Sequence, residues 1–164
     1  MSNLLWDSSA IVKLLHREEY SSFYIKLFEN RNFVHFASEI SKVEIHHAIR
    51  RKYFDYLGSL NKYERARIEA SILKQILPDS IILNSWRSRV SRAFSFIVVD
   101  SLVIKEAELL VLGFDIRSLD AIILATLKCH FTQEKDIAFI SADKRQLSVA
   151  EALRMKILRP ERSE

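Results

Sequence analysis

Apolar and polar positions along this chain follow two alternating periods. Short runs rich in β-branched and aromatic residues have strand character: Leu4–Trp6, Phe33–Phe36, Phe94–Val99, Ile137–Ser141 and Lys156–Leu158. Between them the apolar spacing is helical, over 9–29, 39–55, 61–76, 80–92, 101–112, 118–130 and 145–153. Strands separated by helices predict βαβ crossovers, and so an α/β fold with a mostly parallel five-stranded sheet and helices on both faces. Gly113, after four apolar residues, stands where a helix C-cap is expected, and Pro78 separates two charged helical stretches. With no repeat, low-complexity tract or linker, residues 1–164 read as a single domain.

Composition narrows the chemistry mainly by exclusion. The chain has 164 residues, 49% hydrophobic and 28% charged, which suits a globular domain with a full core. No apolar run approaches the ~18 residues of a membrane span, and the first seven residues lack the basic region of a signal peptide. The lone cysteine, Cys129, permits neither an internal disulfide nor a CxxC zinc cluster. A cytoplasmic protein without membrane contact is expected. The two glycines, Gly58 and Gly113, lie far apart, which excludes a dinucleotide-binding turn, a Walker A loop and a GxSxG nucleophile elbow. A net charge of +4 is compatible with a polyanionic partner but is ordinary for solubility.

Four carboxylates remain: Asp7, Glu44, Asp120 and Asp143. Asp7 and Asp143 each follow a predicted strand, at the sheet edge where open parallel sheets carry their ligands. Glu44 and Asp120 fall in first turns of predicted helices, which point back to that edge. Carboxylates a few ångströms apart raise one another's pKa unless a cation lies among them. Oxygen donors of this kind select Mg²⁺ or Mn²⁺, which can activate a water and stabilise charge on a phosphoryl oxygen. Ser8, Ser9 and Ser141 adjoin these positions and could orient the carboxylates. Lys13, and the segment Arg87, Arg89 and Arg92 with its neighbour Trp86, could meet RNA phosphates and bases.

Each of these residues also has a plain structural role open to it. Asp7 and Asp143 could cap the helices that follow. Ser41 and Glu44 have the spacing of a capping box, and Asp120 could complement a helix dipole behind Ser118. Lys13 could be a solvated lysine, and Trp86 a buried residue on a helix whose arginines face solvent. Asp100 reads as the cap of the next helix and is left outside the site, and His46 and His47 read as surface or packing residues.

The four segments, in order, resemble the PIN-domain nucleases, in particular the toxin ribonucleases of VapBC toxin–antitoxin pairs. DSSAIVKLL with Asp7, SKVEIHHAIRR with Glu44, RSLDAIILATL with Asp120 and FISADKRQLSVAEAL with Asp143 carry the resemblance, which spans nearly the whole chain. It implies an α/β/α sandwich, a Mg²⁺ or Mn²⁺ site and hydrolysis of RNA by a metal-activated water. Asp7, Asp120 and Asp143 would be the principal ligands, and Glu44 would hold or orient a metal-bound water. A homodimer and a small antitoxin partner are implied as well. The chain departs from compact members in a longer helical region at 55–92. Ile123 stands where the family often has a histidine.

The expected function is therefore that of a metal-dependent endoribonuclease and toxin. Alternatives are a PIN-fold nuclease in RNA or DNA processing without a toxin role, and a non-catalytic nucleic-acid- or protein-binding module. A small-molecule metallohydrolase is disfavoured because no DxD nucleophile motif is present.

Overall fold

The five predicted strands form one sheet, and every pairing in it is parallel. The computed structural model of the chain describes residues 2–56, 81–131 and 137–160. The strands are β1 (Ser2–Trp6), β2 (Phe33–Ser38), β3 (Phe94–Ile97), β4 (Ile137–Ile140) and β5 (Ile157–Leu158), in the order β3-β2-β1-β4-β5. In register, Leu5 faces Phe36 on one side and Phe139 on the other, and Trp6 faces Ala37 and Ile140. The chain runs outward from β1 to β3, then returns to the far side of β1 for β4 and β5. The boundary between β1 and β4 is the switch point at which such sheets open a crevice.

The period-2 alternation of the central strands divides the core in two. Leu5, Ile137 and Phe139 turn to one face, packed by α5 (Ser101–Gly113), α6 (Ser118–His130) and α7 (Lys144–Ala152). Leu4, Trp6, Ala138 and Ile140 turn to the other, packed by α1 (Ser8–Leu15), α2 (Ser21–Glu29), α3 (Ile40–Tyr56) and α4 (Ile81–Ser85). The result is a three-layer α/β/α sandwich. Beneath the carboxyl edge on the second face, Trp6 donates its indole N–H to His35 Nδ1 (3.1 Å), and His35 Nε2 contacts the Phe28 carbonyl (3.1 Å). Burial holds the His35 pKa low, so the ring stays neutral in this aromatic packing.

Several boundaries differ from the sequence expectation for local reasons. The stretch 9–29 forms two helices, because the chain leaves α1 at an extended His16 and enters α2 through Tyr20 at φ 63°. Ser21 closes that corner, accepting from the Glu18 N–H (2.9 Å) and donating to the His16 carbonyl (3.2 Å). The stretch 80–92 continues from α4 into a π-helical turn over Trp86–Val90 and a 3-10 turn over Ser91–Ala93. Ser88 and Ser91 hydroxyls donate four residues back to Asn84 and Arg87 carbonyls, bonds that bend helices. Gly113 is the last residue of α5 rather than its cap, and Phe114 takes that place in an extended conformation. The predicted helix 61–76, Pro78, Gly58 and most of the long region 55–92 lie outside the described residues. Among the described residues no helix is long and apolar enough to cross a membrane.

Candidate active site

Asp7 leaves β1 at the switch point. Its N–H donates to the Ile140 carbonyl of β4 (2.8 Å), which ties the two strand ends together. Its side chain caps α1 by accepting from the Ser9 N–H (2.9 Å), so the predicted capping role is real. That role does not account for the depth of its burial, with 2% of the residue exposed. A carboxylate there is stripped of water, which raises its pKa; hydrogen bonds from Ser9, Ser141 and Gln146 act against that rise. The Ser9 hydroxyl contacts Asp7 Oδ2 closely, and Ser141 Oγ lies 3.2 Å from the same oxygen.

Glu44 resolves differently from the capping box expected of it. Helix α3 begins at Ile40, so Ser41 already lies inside the first turn. Its hydroxyl is buried and without a hydrogen-bond partner among the described residues. Glu44 instead turns to α1, where the Ser8 hydroxyl donates to Oε2 (2.9 Å) and stands 3.4 Å from Asp7 Oδ1. One hydroxyl thus bridges two carboxylates from separate elements. Burial first, and then the charges of Asp7 and Asp120, push the Glu44 pKa up to about 7 against a partial lowering by the Ser8 bond.

Asp120 sits in the first turn of α6, as predicted. The helix is anchored by Thr126, whose Oγ1 lies 2.8 Å from the Ile122 carbonyl and 3.1 Å from Ser38 Oγ at the end of β2. Burial and the charges of Asp7 and Asp143 raise the Asp120 pKa to about 6, with Arg117 and Arg145 pulling the other way. Asp143 caps α7, accepting from the Arg145 N–H (2.8 Å) and Gln146 N–H (3.4 Å). Glu44 therefore lies within the field of Asp7 and Asp120, and Asp120 within that of Asp7 and Asp143, at one edge of the sheet.

The three serines also gather there. The Ala142 N–H donates to Ser9 Oγ (2.9 Å), and the Asp143 N–H to Ser141 Oγ (3.0 Å). Two participants escaped the sequence reading. Gln146 is fully buried, 2.8 Å through Oε1 from Ser141 Oγ and 3.4 Å through Nε2 from the Asp120 carbonyl. Its only sequence signal was a position three residues after a cap, which suggests the helix terminus rather than the site. Tyr24 of α2 donates its hydroxyl to the Ser141 carbonyl (3.1 Å), and burial together with Asp7 pushes its pKa up to about 12.

The basic residues divide. Lys13 is half-buried near the site and paired with Glu18 (2.8 Å), not a solvated lysine. Arg87, Arg89 and Arg92 are exposed at the opposite edge: Arg92 precedes the first residue of β3, and Arg89 pairs with Glu29 at the end of α2 (3.2 Å). The structure does not bring them to the carboxylates. Trp86 is buried against His46 and Phe96, which removes it as a stacking platform for a base. Asp100 caps α5 as expected, accepting from Leu102 and Val103, and Ile123 is a fully buried core residue.

No protein-family model and no curated protein sequence matches the chain. Solved structures match it in fold. A toxin–antitoxin complex from Klebsiella pneumoniae is 13% identical, covers 96% of this chain and 98% of its own, and superposes with a TM-score of 0.60. FitAcB from Neisseria gonorrhoeae is 15% identical over 96% of this chain and 97% of its own, with a TM-score of 0.57. A protein of Pyrobaculum aerophilum, also 15% identical, covers 95% and 83% with a TM-score of 0.52. The fold is PIN-like. At these identities the likeness is one of fold, and it extends over nearly the whole chain, as the four ordered segments implied. Within this PIN-like fold, the switch point is where Asp7 and Asp143 emerge from neighbouring strands.

The donor set at that point fits a hard divalent cation in its chemistry: four carboxylates, two of them raised first by burial and then by neighbouring carboxylates. Among the described residues, no three His, Cys, Asp or Glu side chains form a ready-made metal group. The fit is thus one of donor type and charge, not of a closed cage.

Proposed function

We propose that this chain is a metal-dependent endoribonuclease that hydrolyses RNA phosphodiester bonds, and that it is the toxin of a toxin–antitoxin pair. The observation that carries the reading is that Glu44 and Asp120 are partly buried beside Asp7 at the switch point, where burial first and the neighbouring carboxylates next raise both pKa values. Crowding of like charges is unfavourable for folding alone and is relieved by a cation. Asp7, Glu44, Asp120 and Asp143 would hold Mg²⁺ or Mn²⁺. Such an ion, when bound, supplies a water of lowered pKa and stabilises charge on a phosphoryl oxygen.

The chain's own residues do the positioning. Ser9, Ser141 and Gln146 hydrogen bonds favour the ionised form of buried Asp7. Ser8 fixes Glu44 Oε2 relative to Asp7, which sets the spacing of the two carboxylates. Gln146 links the Ser141 hydroxyl to the backbone at Asp120, so α6 and β4 keep their relative position. Water attacks phosphorus in line, and the bond to the departing ribose oxygen breaks. No covalent intermediate on a side chain is required.

The toxin assignment draws on the resemblance of the four motifs and on the fold shared with a toxin–antitoxin complex. A small antitoxin is the partner that would silence the chain. A homodimer is supported by α5, which is apolar nearly all round, the pattern of a helix buried on every side. Val103, Ala107 and Leu110 enter the core, while Leu102, Ile104, Leu109, Val111 and Leu112 remain exposed, Leu112 to 84%. Antiparallel pairing about a two-fold axis between Glu106 and Ala107 sets Lys105 of one copy against Glu108 of the other. It also sets Leu102 against Val111 and Ile104 against Leu109. An isologous interface needs that self-complementarity.

The test is cleavage of total and structured RNA with Mg²⁺, Mn²⁺ or EDTA, with Asp7→Asn alongside. Asparagine caps helices as well as aspartate does, so the fold should survive while cleavage falls at least ~100-fold. Full activity in the variant would sink the assignment.

A further inference from the structure

A cluster of carboxylates repels the phosphates of the strand it is to cut, so the strand must be held by something beside it. The wall formed by Ser141 has two sides. Toward the site its hydroxyl lies 3.2 Å from Asp7 Oδ2; toward α2 its carbonyl accepts the Tyr24 hydroxyl and it lines a second cavity of about 860 Å³. That volume lies toward the upper end of the ~300–1,000 Å³ typical of built ligand sites. Three cations, Lys13, Lys144 and Arg159, line it against one carboxylate, Glu19.

The cavity also has an aromatic wall, made by Tyr20 and Tyr24. Tyr20 is 40% exposed and occupies the left-handed region, φ 63°, which non-glycine residues rarely adopt. Such strain tends to persist where a side chain must be presented in one direction. Among the described residues Arg159 is paired with Glu151 (3.2 Å), and both side chains are about half exposed, so a phosphate can exchange for that partner readily. Lys144 is the first residue of α7, directly after the capping Asp143. Cationic and aromatic groups therefore meet in one concave surface, separated from the carboxylates by a single residue.

We propose that this cavity is the nucleotide-binding subsite beside the cleavage point. It takes an unpaired base against Tyr20 and the adjoining backbone phosphate on Lys144 and Arg159. The inference rests on the nuclease reading for the role of the neighbouring carboxylates, and it commits that reading to single-stranded RNA. A paired base cannot present its face to a ring in a concave wall, whereas an unpaired one can.

The experiment is fluorescence anisotropy of the full chain with a labelled single-stranded RNA and the same strand in a duplex, in EDTA across a salt series. Steady-state cleavage with Mg²⁺ or Mn²⁺ runs in parallel. Tyr20→Asn tolerates positive φ while removing the ring, and Tyr20→Phe keeps it; a thermal melt of each confirms folding. Single strands should bind at least tenfold tighter than duplex. Tyr20→Asn should weaken binding about tenfold and Tyr20→Phe hardly at all. Lys144→Gln with Arg159→Gln should lower the slope of log affinity against log salt by about 1.4, two contacts at ~0.7 each. In cleavage, KM should rise with kcat largely held. Variants that bind and cut like the wild type would overturn the subsite, leave the nuclease reading standing and assign the cavity to a protein partner. Equal binding of duplex would also overturn it. Binding that obeys these predictions in a chain that never cuts would uphold the subsite and defeat the nuclease.

Discussion

Replacing Glu44 by glutamine should make the metal-free protein more stable at pH 8, although it removes a charged hydrogen-bond acceptor. The Glu44 carboxyl, ordinarily near 4.5, is raised to about 7 by burial and by Asp7 and Asp120. Between those two values the folded chain holds a proton that the unfolded chain has lost, so stability falls as pH rises through the window and stays low above it. A rise of that size corresponds to about 3 kcal/mol for a group sealed from solvent. Glu44 is only partly buried, and solvent screening reduces this to about 1–2 kcal/mol. Glutamine keeps an oxygen for the Ser8 hydroxyl and carries no charge. In EDTA at pH 8, Glu44→Gln should therefore melt about 2–8 °C above the wild type, and at pH 5 the two should coincide. Added Mg²⁺ or Mn²⁺ should stabilise the wild type and have much less effect on the variant. The assay is circular-dichroism melting at pH 5, 6.5 and 8, with EDTA or with metal. A variant less stable than the wild type at pH 8 in EDTA would refute the reasoning, because it would make Glu44 a favourable structural partner instead of a strained site residue.

Metal binding should itself depend on pH, because Glu44 near 7 and Asp120 near 6 must lose their protons to ligate. Calorimetric titration should find the apparent Kd for Mn²⁺ about 10–20-fold weaker at pH 6 than at pH 8; a flat profile would remove both residues from the ligand set. Gln146→Leu removes the Ser141 hydroxyl's 2.8 Å partner and takes a hydrogen bond from Asp7, so the melt should show a loss of about 1–3 kcal/mol. The cleavage profile of that variant should also move to higher pH, and unchanged stability would contradict the network described above. Leu109→Arg with Leu112→Arg should convert a dimer to a soluble monomer in light-scattering chromatography, and a dimer that survives both charges lies on another surface.

The architecture was legible because its signals are local. Period-2 alternation in β1 and β4 and helical spacing between strands follow from which side chains must leave water, and that much is written residue by residue. The four carboxylates were legible for a related reason, since an acid at the end of an apolar run announces a purpose. The break at Tyr20 was less readable, because it depends on Ser21 finding the Glu18 N–H and the His16 carbonyl at once. Ser41 and Glu44 misled, since a capping box is defined by spacing alone, and the register of α3 placed Ser41 two positions too deep to form one. Gln146 and Tyr24 gave no warning, because their partners lie on other elements.

By itself, then, the amino-acid sequence determined the α/β class and the positions of the five strands to within a few residues, and it singled out four candidate acids. Only the tertiary structure decided that β4 returns beside β1, which brings Asp7 and Asp143 to one edge although 136 positions separate them in the chain. It also decided that Ser8 joins Asp7 to Glu44, that the arginines of the 87–92 segment stand at the opposite edge, and that Lys144 and Arg159 share a cavity with Tyr20. The physical reason is that hydrogen bonds and charge interactions act over a few ångströms of space, and the distance along the chain carries no information about which groups will be that close.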